Sequence, residues 1–258
     1  MDWKKESEMF NKAADYYDQF RPSYPKEIID TLISETGIKE NARLLEIGAG
    51  SGKATELFID KGFEIRCIDP GKDLVKIGNG RFQNNKIKFE AARFEEYDLP
   101  KQYYDAIFAA QAFHWVPQPI GYEKCAYALK EKAFLAPFWN MYITYDNVMD
   151  NDLLEISSKY GGFADFLSES ECENRINSIV ASMEDSKLFS APKVFRKRWK
   201  QSYTADAYFG FALTGNRFMQ KSEEEKQMAY RELVSLADKH GGTIERPYLC
   251  VLYLSQKL

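Results

Sequence analysis

Apolar residues in this chain fall into two spacings. Short, nearly continuous runs occupy Arg43–Ile47, Glu64–Ile68, Ile87–Phe89, Asp105–Ala110, Ala133–Trp139 and Tyr248–Leu254. Runs of this kind, bounded by glycine, aspartate or proline, predict strands of a parallel sheet buried on both faces. Val194–Tyr203 is more polar but takes the place of a further strand in the alternation. Between these runs apolar residues recur every three or four positions, the helical spacing. Ile28, Ile29, Leu32 and Ile33 mark a helix opened by Pro25 and closed by Gly37. Lys53–Lys61 reads as a helix with Ala54, Leu57 and Phe58 on one face and Gly62 as its stop. A further helix runs from about Lys72 to Ile77, and another carries Tyr122, Cys125, Ala126 and Leu129. Ser222-Glu223-Glu224-Glu225 is a capping box that starts a helix through Ala229, Leu233, Leu236 and Ala237, ended by Gly241-Gly242.

The alternation breaks at residues 141–192, where amphipathic pieces near Leu153–Tyr160 and Ile176–Met183 predict a helical cap inserted after the fifth strand. The expected architecture is α/β: a Rossmann-like, doubly wound, seven-stranded sheet in a single domain over residues 1–258. Residues 1–25 form an N-terminal arm. Its first nine residues are charged and expected to fray. Phe10 to Phe20 reads as an aromatic-rich helix, and Arg21-Pro22-Ser23-Tyr24-Pro25 as an extended turn set by its two prolines.

The first strand runs straight into Gly48-Ala49-Gly50-Ser51-Gly52. A turn stripped of side chains lets a ligand lie against the backbone near the N–H groups that open the next helix. The dinucleotide pattern G-x-G-x-x-G needs glycine at position 53, which is Lys53, and no phosphate-loop Gly-Lys-Ser/Thr follows. Glu46-x-Gly48-x-Gly50-x-Gly52 instead resembles motif I of class I S-adenosylmethionine-dependent methyltransferases. The second strand ends in Asp69, 17 residues after Gly52 and close to the interval at which βαβ units place a ribose-binding acid. A plain cap on the next helix is the structural alternative for that acid.

The resemblance covers residues 10–140 and implies further roles. Phe10-x-x-Ala13-Ala14-x-x-Tyr17 followed by Arg21-Pro22-Ser23-Tyr24-Pro25 is similar to the arm that folds over the cofactor in small-molecule methyltransferases, with Tyr17, Arg21 and Tyr24 as lid residues. Glu46 is implied beneath the methionine portion, with Gly48, Ala49, Gly50 and Gly52 along the cofactor and Asp69 and Pro70 at its ribose. Relatives often carry an aspartate for adenine after the third strand. This sequence has Arg93 or Ala91 there, so contact is expected from the backbone of Ala92, Arg93 and Phe94. After the fourth strand come Gln111, Phe113, His114 and Trp115, and Phe-His-Trp at this place resembles the trans-aconitate methyltransferase group and, less closely, the quinone-biosynthesis C-methyltransferases. Gln111 is expected at the cofactor, and Phe113 and Trp115 at the substrate.

Composition narrows the partners. With 35 basic and 39 acidic residues the net charge is −4, which argues against a nucleic-acid partner. Four cysteines at 67, 125, 172 and 250 lie far apart without a C-x-x-C pair, and only two histidines occur, so neither a metal site nor a disulfide framework is expected. The sequence shows no signal peptide and no membrane-length apolar run, and a cytoplasmic protein is expected. A chain of 258 residues is long enough to bury roughly three quarters of its unfolded surface.

The chemistry implied is transfer of a methyl group from a sulfonium to a small-molecule acceptor by in-line displacement, which asks the protein to bind, align and exclude water. Tyr17, Phe113 and Trp115 offer faces for the sulfonium, at about 1–2 kcal/mol each, or serve only as hydrophobic wall. His114 is the catalytic candidate, either orienting the acceptor or taking its proton, and His240 reads as a helix end. Two other classes stay open: a NAD(P)-dependent oxidoreductase, although Tyr127 is followed by Glu131 and not Lys at the Tyr-x-x-x-Lys spacing, and a non-catalytic cofactor-binding protein. The sequence leaves the acceptor and the oligomeric state open.

Overall fold

The structure is a computed structural model that describes residues 18–83, 86–145, 147–164 and 166–258. In chain order the elements are α1 (Lys26–Thr36), β1 (Arg43–Ile47), a 3₁₀ helix (Thr55–Lys61), β2 (Glu64–Asp69), α2 (Lys72–Arg81), β3 (Ile87–Ala91), β4 (Tyr104–Ala110), a 3₁₀ turn (Phe113–Trp115), α3 (Ile120–Ala128) and β5 (Leu129–Tyr142). There follow α4 (Val148–Tyr160), α5 (Glu169–Asp185), β6 (Lys193–Tyr203), α6 (Ala205–Leu213), α7 (Asn216–Met219), α8 (Glu223–Lys239) and β7 (Ile244–Gln256). The seven strands form one sheet in the order β3-β2-β1-β4-β5-β7-β6. The pairs β1–β2, β1–β4, β2–β3 and β4–β5 are all parallel. The order reverses beside β1, where sequence steps outward on one side through β2 and β3 and on the other through β4 and β5. Open α/β sheets bind ligands at such a switch point, outside the carboxyl ends of the strands.

The chain divides into two compact units. The sheet unit comprises residues 23–140, 173–197 and 250–258. Its strands are buried because their side chains are apolar on both faces: Leu44, Leu45, Ile107, Phe108, Leu135 and Phe138 are fully enclosed. Phe108 stacks parallel to Phe138 and also packs on Phe58 from the 3₁₀ helix, with ring centroids 6.4 and 4.8 Å away. That helix starts at Thr55, two residues later than the periodicity predicts, and is wound as 3₁₀ instead of α. Its Gly62 stop is as expected, in the left-handed conformation that only glycine adopts cheaply.

The helical unit comprises, among the described residues, those from 18–22, 141–172 and 198–249. Its core joins Leu153, Phe163, Tyr208, Phe211, Phe218, Leu233 and Leu236. The capping box of α8 is present as predicted, with the Ser222 hydroxyl on the Glu225 N–H and the Glu225 carboxylate on the Ser222 N–H. Helices α6 and α7 fall in a stretch for which the apolar spacing predicts no element. Among the described residues no helix is long and apolar enough to cross a membrane, and all four cysteines are buried free thiols.

Candidate functional site

The glycine turn sits at the carboxyl end of β1, beside the end of β2. Its first two N–H groups, of Gly48 and Ala49, both donate to the Ile68 carbonyl at 2.8 and 3.1 Å, tying the turn to β2. Gly48, Gly50 and Gly52 all have positive φ, at 66, 57 and 91°. Two of them also have no room for a side chain. A Cβ on Gly48 would collide with the Ala112 methyl, and one on Gly52 with the Phe82 and Phe89 rings. Gly50 differs: a Cβ there would meet nothing within 4 Å. Packing requires two of the glycines, and open space lies in front of the third.

Asp69 closes the turn from the other side. One carboxylate oxygen accepts the Gly50 N–H at 2.8 Å, and the other accepts the Gly71 N–H at 2.7 Å. The side chain is 8% exposed, and burial raises its pKa against the lowering effect of those two N–H groups. Asp69 therefore bridges the β1 turn and the start of α2, a role wider than the helix cap or ribose ligand that sequence offered. Pro70 follows on the surface.

Beneath the turn lies Glu46, 1% exposed. Its carboxyl accepts from the Thr55 hydroxyl, which also meets the Cys67 sulfur at 3.4 Å. Burial pushes the Glu46 pKa up to about 8, opposed by the Thr55 hydrogen bond and reinforced by the nearby Asp69 charge. An acid with this surrounding is protonated at neutral pH until a cation arrives. Within the turn Ser51 is 1% exposed, and its hydroxyl has no hydrogen-bond partner among the described residues.

After β3, Ala92 donates its N–H to the Asp69 carbonyl at 3.0 Å, while the Arg93 and Phe94 carbonyls accept from Glu96 and Tyr97 at 3.2 and 3.3 Å. The backbone expected to meet adenine is thus a turn anchored to the end of β2. The Arg93 side chain lies 4.0 Å from Glu95, and the Phe94 ring is buried with Lys124 5.8 Å from its centre.

At the end of β4, Gln111 is held at φ 58°. Its N–H donates to the Phe138 carbonyl at 3.0 Å and its side-chain oxygen accepts from the Asn140 N–H at 2.8 Å, stitching β4 to β5. Asn140 reaches on to the Ser23 carbonyl at 2.9 Å, and Tyr24 packs edge-on against Phe138 with centroids 5.0 Å apart. Phe113 is buried against Tyr122, which makes it wall. Trp115 is 36% exposed, 4.7 Å from the His114 ring. The Trp139 indole N–H donates to His114 Nδ1 at 3.1 Å. The protein bulk around His114, then the Arg175 charge, holds its pKa below the usual histidine range.

The sheet unit therefore brings together Glu46, the glycine turn, Asp69, Pro70, the 92–94 loop, Gln111, Phe113, His114, Trp115 and Tyr24. Arg21 belongs to the helical unit, where its guanidinium donates to the Tyr142 hydroxyl at 3.3 Å and the Thr214 carbonyl at 3.4 Å and lies over Phe211. Tyr17 and most of the predicted arm helix lie outside the described residues. Sequence reading missed Thr55, Ser51, Asn140 and Trp139. Only Ser51 carried a local signal, its place inside the glycine turn. Among the described residues no cluster of His, Cys, Asp and Glu could hold a metal.

S-adenosylmethionine fits these residues. An amino cation would find the buried Glu46 carboxyl, a ligand lying along the turn would find the open space at Gly50, and the buried Ser51 hydroxyl offers one more polar contact.

Residues 45–136 match the family model described as a methyltransferase domain. The chain is 30% identical over 131 residues to an uncharacterized methyltransferase of Mycobacterium tuberculosis, covering 51% of this chain and 51% of that protein. It is 27% identical over 186 residues to a probable S-adenosylmethionine-dependent methyltransferase of Saccharomyces cerevisiae, covering 70% of this chain and 62% of the relative. The chain spans about half the length of the first of these curated relatives. Among solved structures, the YcgJ protein of Bacillus subtilis superposes with TM-score 0.55 at 16% identity, over 90% of this chain and 99% of that one. Phosphoethanolamine N-methyltransferase 2 of Haemonchus contortus, solved with S-adenosyl-L-methionine, superposes with TM-score 0.54 at 12% identity, over 98% of this chain and 57% of that one. At these identities the superpositions establish the fold, the Rossmann-like seven-stranded sheet. The match to the methyltransferase-domain model is confined to residues 45–136.

Proposed function

We propose that this chain is an S-adenosylmethionine-dependent methyltransferase acting on a small-molecule acceptor. The observation that carries the reading is the turn at Gly48–Gly52, closed by Asp69 through the Gly50 N–H and floored by the buried acid Glu46, within the segment that matches a methyltransferase domain. The cofactor supplies an activated methyl group on a sulfonium, so the protein needs no metal to drive the displacement. Glu46 receives the amino group of the methionine portion. Asp69 orients the ribose through its oxygens while its two N–H partners keep those oxygens in place. Gln111, fixed between β4 and β5, lines the cofactor side of the β4 end, and exposed Trp115 with His114 faces the acceptor. The Phe113-His114-Trp115 motif, similar to the trans-aconitate methyltransferase group, motivates a small organic acceptor. A nicotinamide oxidoreductase is disfavoured by Lys53 in place of the third fingerprint glycine.

Transfer of a labelled methyl group from S-adenosylmethionine to a panel of small carboxylates, phenols and amines tests the proposal. At least one acceptor is expected to gain label with the wild-type chain and not with Asp69→Ala. Equal labelling by the two proteins across the panel would overturn it.

A further inference from the structure

We infer that Trp139 is a positioning residue whose indole N–H fixes His114 as an Nε2–H donor, so that His114 holds an atom of the acceptor and does not take its proton. The inference deepens the methyltransferase reading and rests on it.

Trp139 Nε1 donates to His114 Nδ1 at 3.1 Å, so the Nδ1 lone pair is taken. A neutral imidazole that accepts at Nδ1 carries its hydrogen at Nε2, where it donates only. Trp139 is itself held. Tyr253 meets its ring edge-on at 5.6 Å, and its neighbours Phe138 and Asn140 are both bonded to Gln111. The partly exposed Trp115 ring lies 4.7 Å from the imidazole. Arg175 on α5 adds a positive charge that acts on the ring. A general base must gain a proton in the transition state, and both the Trp139 N–H and the Arg175 charge oppose that gain. Donation from Nε2 is opposed by neither.

The consequence bears on the acceptor. Its nucleophile must arrive with a lone pair and no proton that His114 has to remove, as an oxygen already ionised or an uncharged amine. In the transfer the S–CH₃ bond breaks, its electron pair stays on sulfur, and the nucleophile's lone pair forms the new bond to methyl. With an ionised oxygen no proton is released.

Nitrogen-15 NMR of the full chain tests this, because the protein has only two histidines and His240 serves as internal reference. The wild-type His114 signals are expected to show the Nε2–H tautomer at neutral pH. Trp139→Phe keeps the ring and removes the donor. In that variant His114 is expected to become a mixture of tautomers with a raised titration midpoint, while His240 is unchanged and S-adenosylhomocysteine affinity stays within about twofold. A wild-type Nδ1–H tautomer, or an unaltered His114 in Trp139→Phe, overturns the inference. If Trp139→Phe does not fold, the wild-type tautomer decides. Loss of S-adenosylhomocysteine binding by the wild-type chain would instead strike the methyltransferase reading, and the tautomer would stand or fall apart from it.

Discussion

Replacing Glu46 by glutamine makes the pH dependence of stability a direct report on the floor of the site. Glutamine keeps the volume and keeps an oxygen for the Thr55 hydroxyl, so it removes only the capacity to ionise. The folded-state pKa is about 8 against an ordinary 4.5. The group is raised, so the folded chain binds the proton more tightly than the unfolded chain. Its favourable effect is complete below pH 4.5 and is lost as pH rises through about 8. Every tenfold difference in proton affinity between the two states corresponds to about 1.4 kcal/mol, so the full loss is on the order of 5 kcal/mol, and by pH 7 roughly 3 kcal/mol of it has accrued. Urea unfolding of wild type and Glu46→Gln at pH 5.5, 6.5 and 7.5 reads this. The stability of the variant relative to wild type is expected to rise by about 1–1.4 kcal/mol per pH unit. A difference that is flat with pH would refute the buried, protonated Glu46. The same reasoning gives a ligand effect: an amino cation beside Glu46 favours its ionised form, so binding of S-adenosylhomocysteine near pH 7 should release a proton, visible by calorimetry in buffers of different ionisation enthalpy.

The glycines separate packing from binding. Gly52→Ala forces a Cβ into Phe82 and Phe89 and should cost roughly 2–4 kcal/mol in thermal unfolding. Gly50→Ala meets no atom and should cost only about 1–2 kcal/mol of left-handed backbone strain, while weakening S-adenosylhomocysteine binding at least tenfold. Equal affinity in that variant would remove Gly50 from the cofactor path. Asp69→Asn places an amide NH₂ against one of two backbone N–H donors and should lose about 1–3 kcal/mol of stability, with weaker cofactor binding alongside. Arg21→Ala removes the bonds to Tyr142 and Thr214 and should lower stability by about 1–2 kcal/mol, read as a fall in Tm.

The centre of the sheet was legible because its residues speak locally. Leu44, Leu45 and Ile47, or Ile107, Phe108 and Ala109, are apolar on both faces, and a strand buried on both faces must be. The glycine turn announced itself by spacing, and packing explains two of the three positions. Helix α6 did not announce itself: Ala205–Leu213 is apolar nearly all round, with Phe209 and Phe211 flanking Gly210, so it has no polar face to set a period. Gly210 is there because the Phe20 ring lies against it, a contact between residues 190 positions apart that no local pattern encodes. Strand β5 was underestimated for the opposite reason. Its first residue, Leu129, has the spacing of the preceding helix, and Lys130-Glu131-Lys132 is charged and partly exposed, so the apolar run begins only at Ala133. The hydrogen bonds that define the β4 end, Gln111 with Asn140 and Trp139 with His114, join the segment after β4 to β5 and are set by tertiary packing, not by neighbouring residues.

Isothermal titration of the full chain with S-adenosylhomocysteine and, separately, with NAD tests the central claim most directly. The geometry of Glu46, Gly50 and Asp69 predicts saturable one-to-one binding of S-adenosylhomocysteine and none of NAD. Saturable NAD binding without S-adenosylhomocysteine binding, or no binding of either, would contradict it.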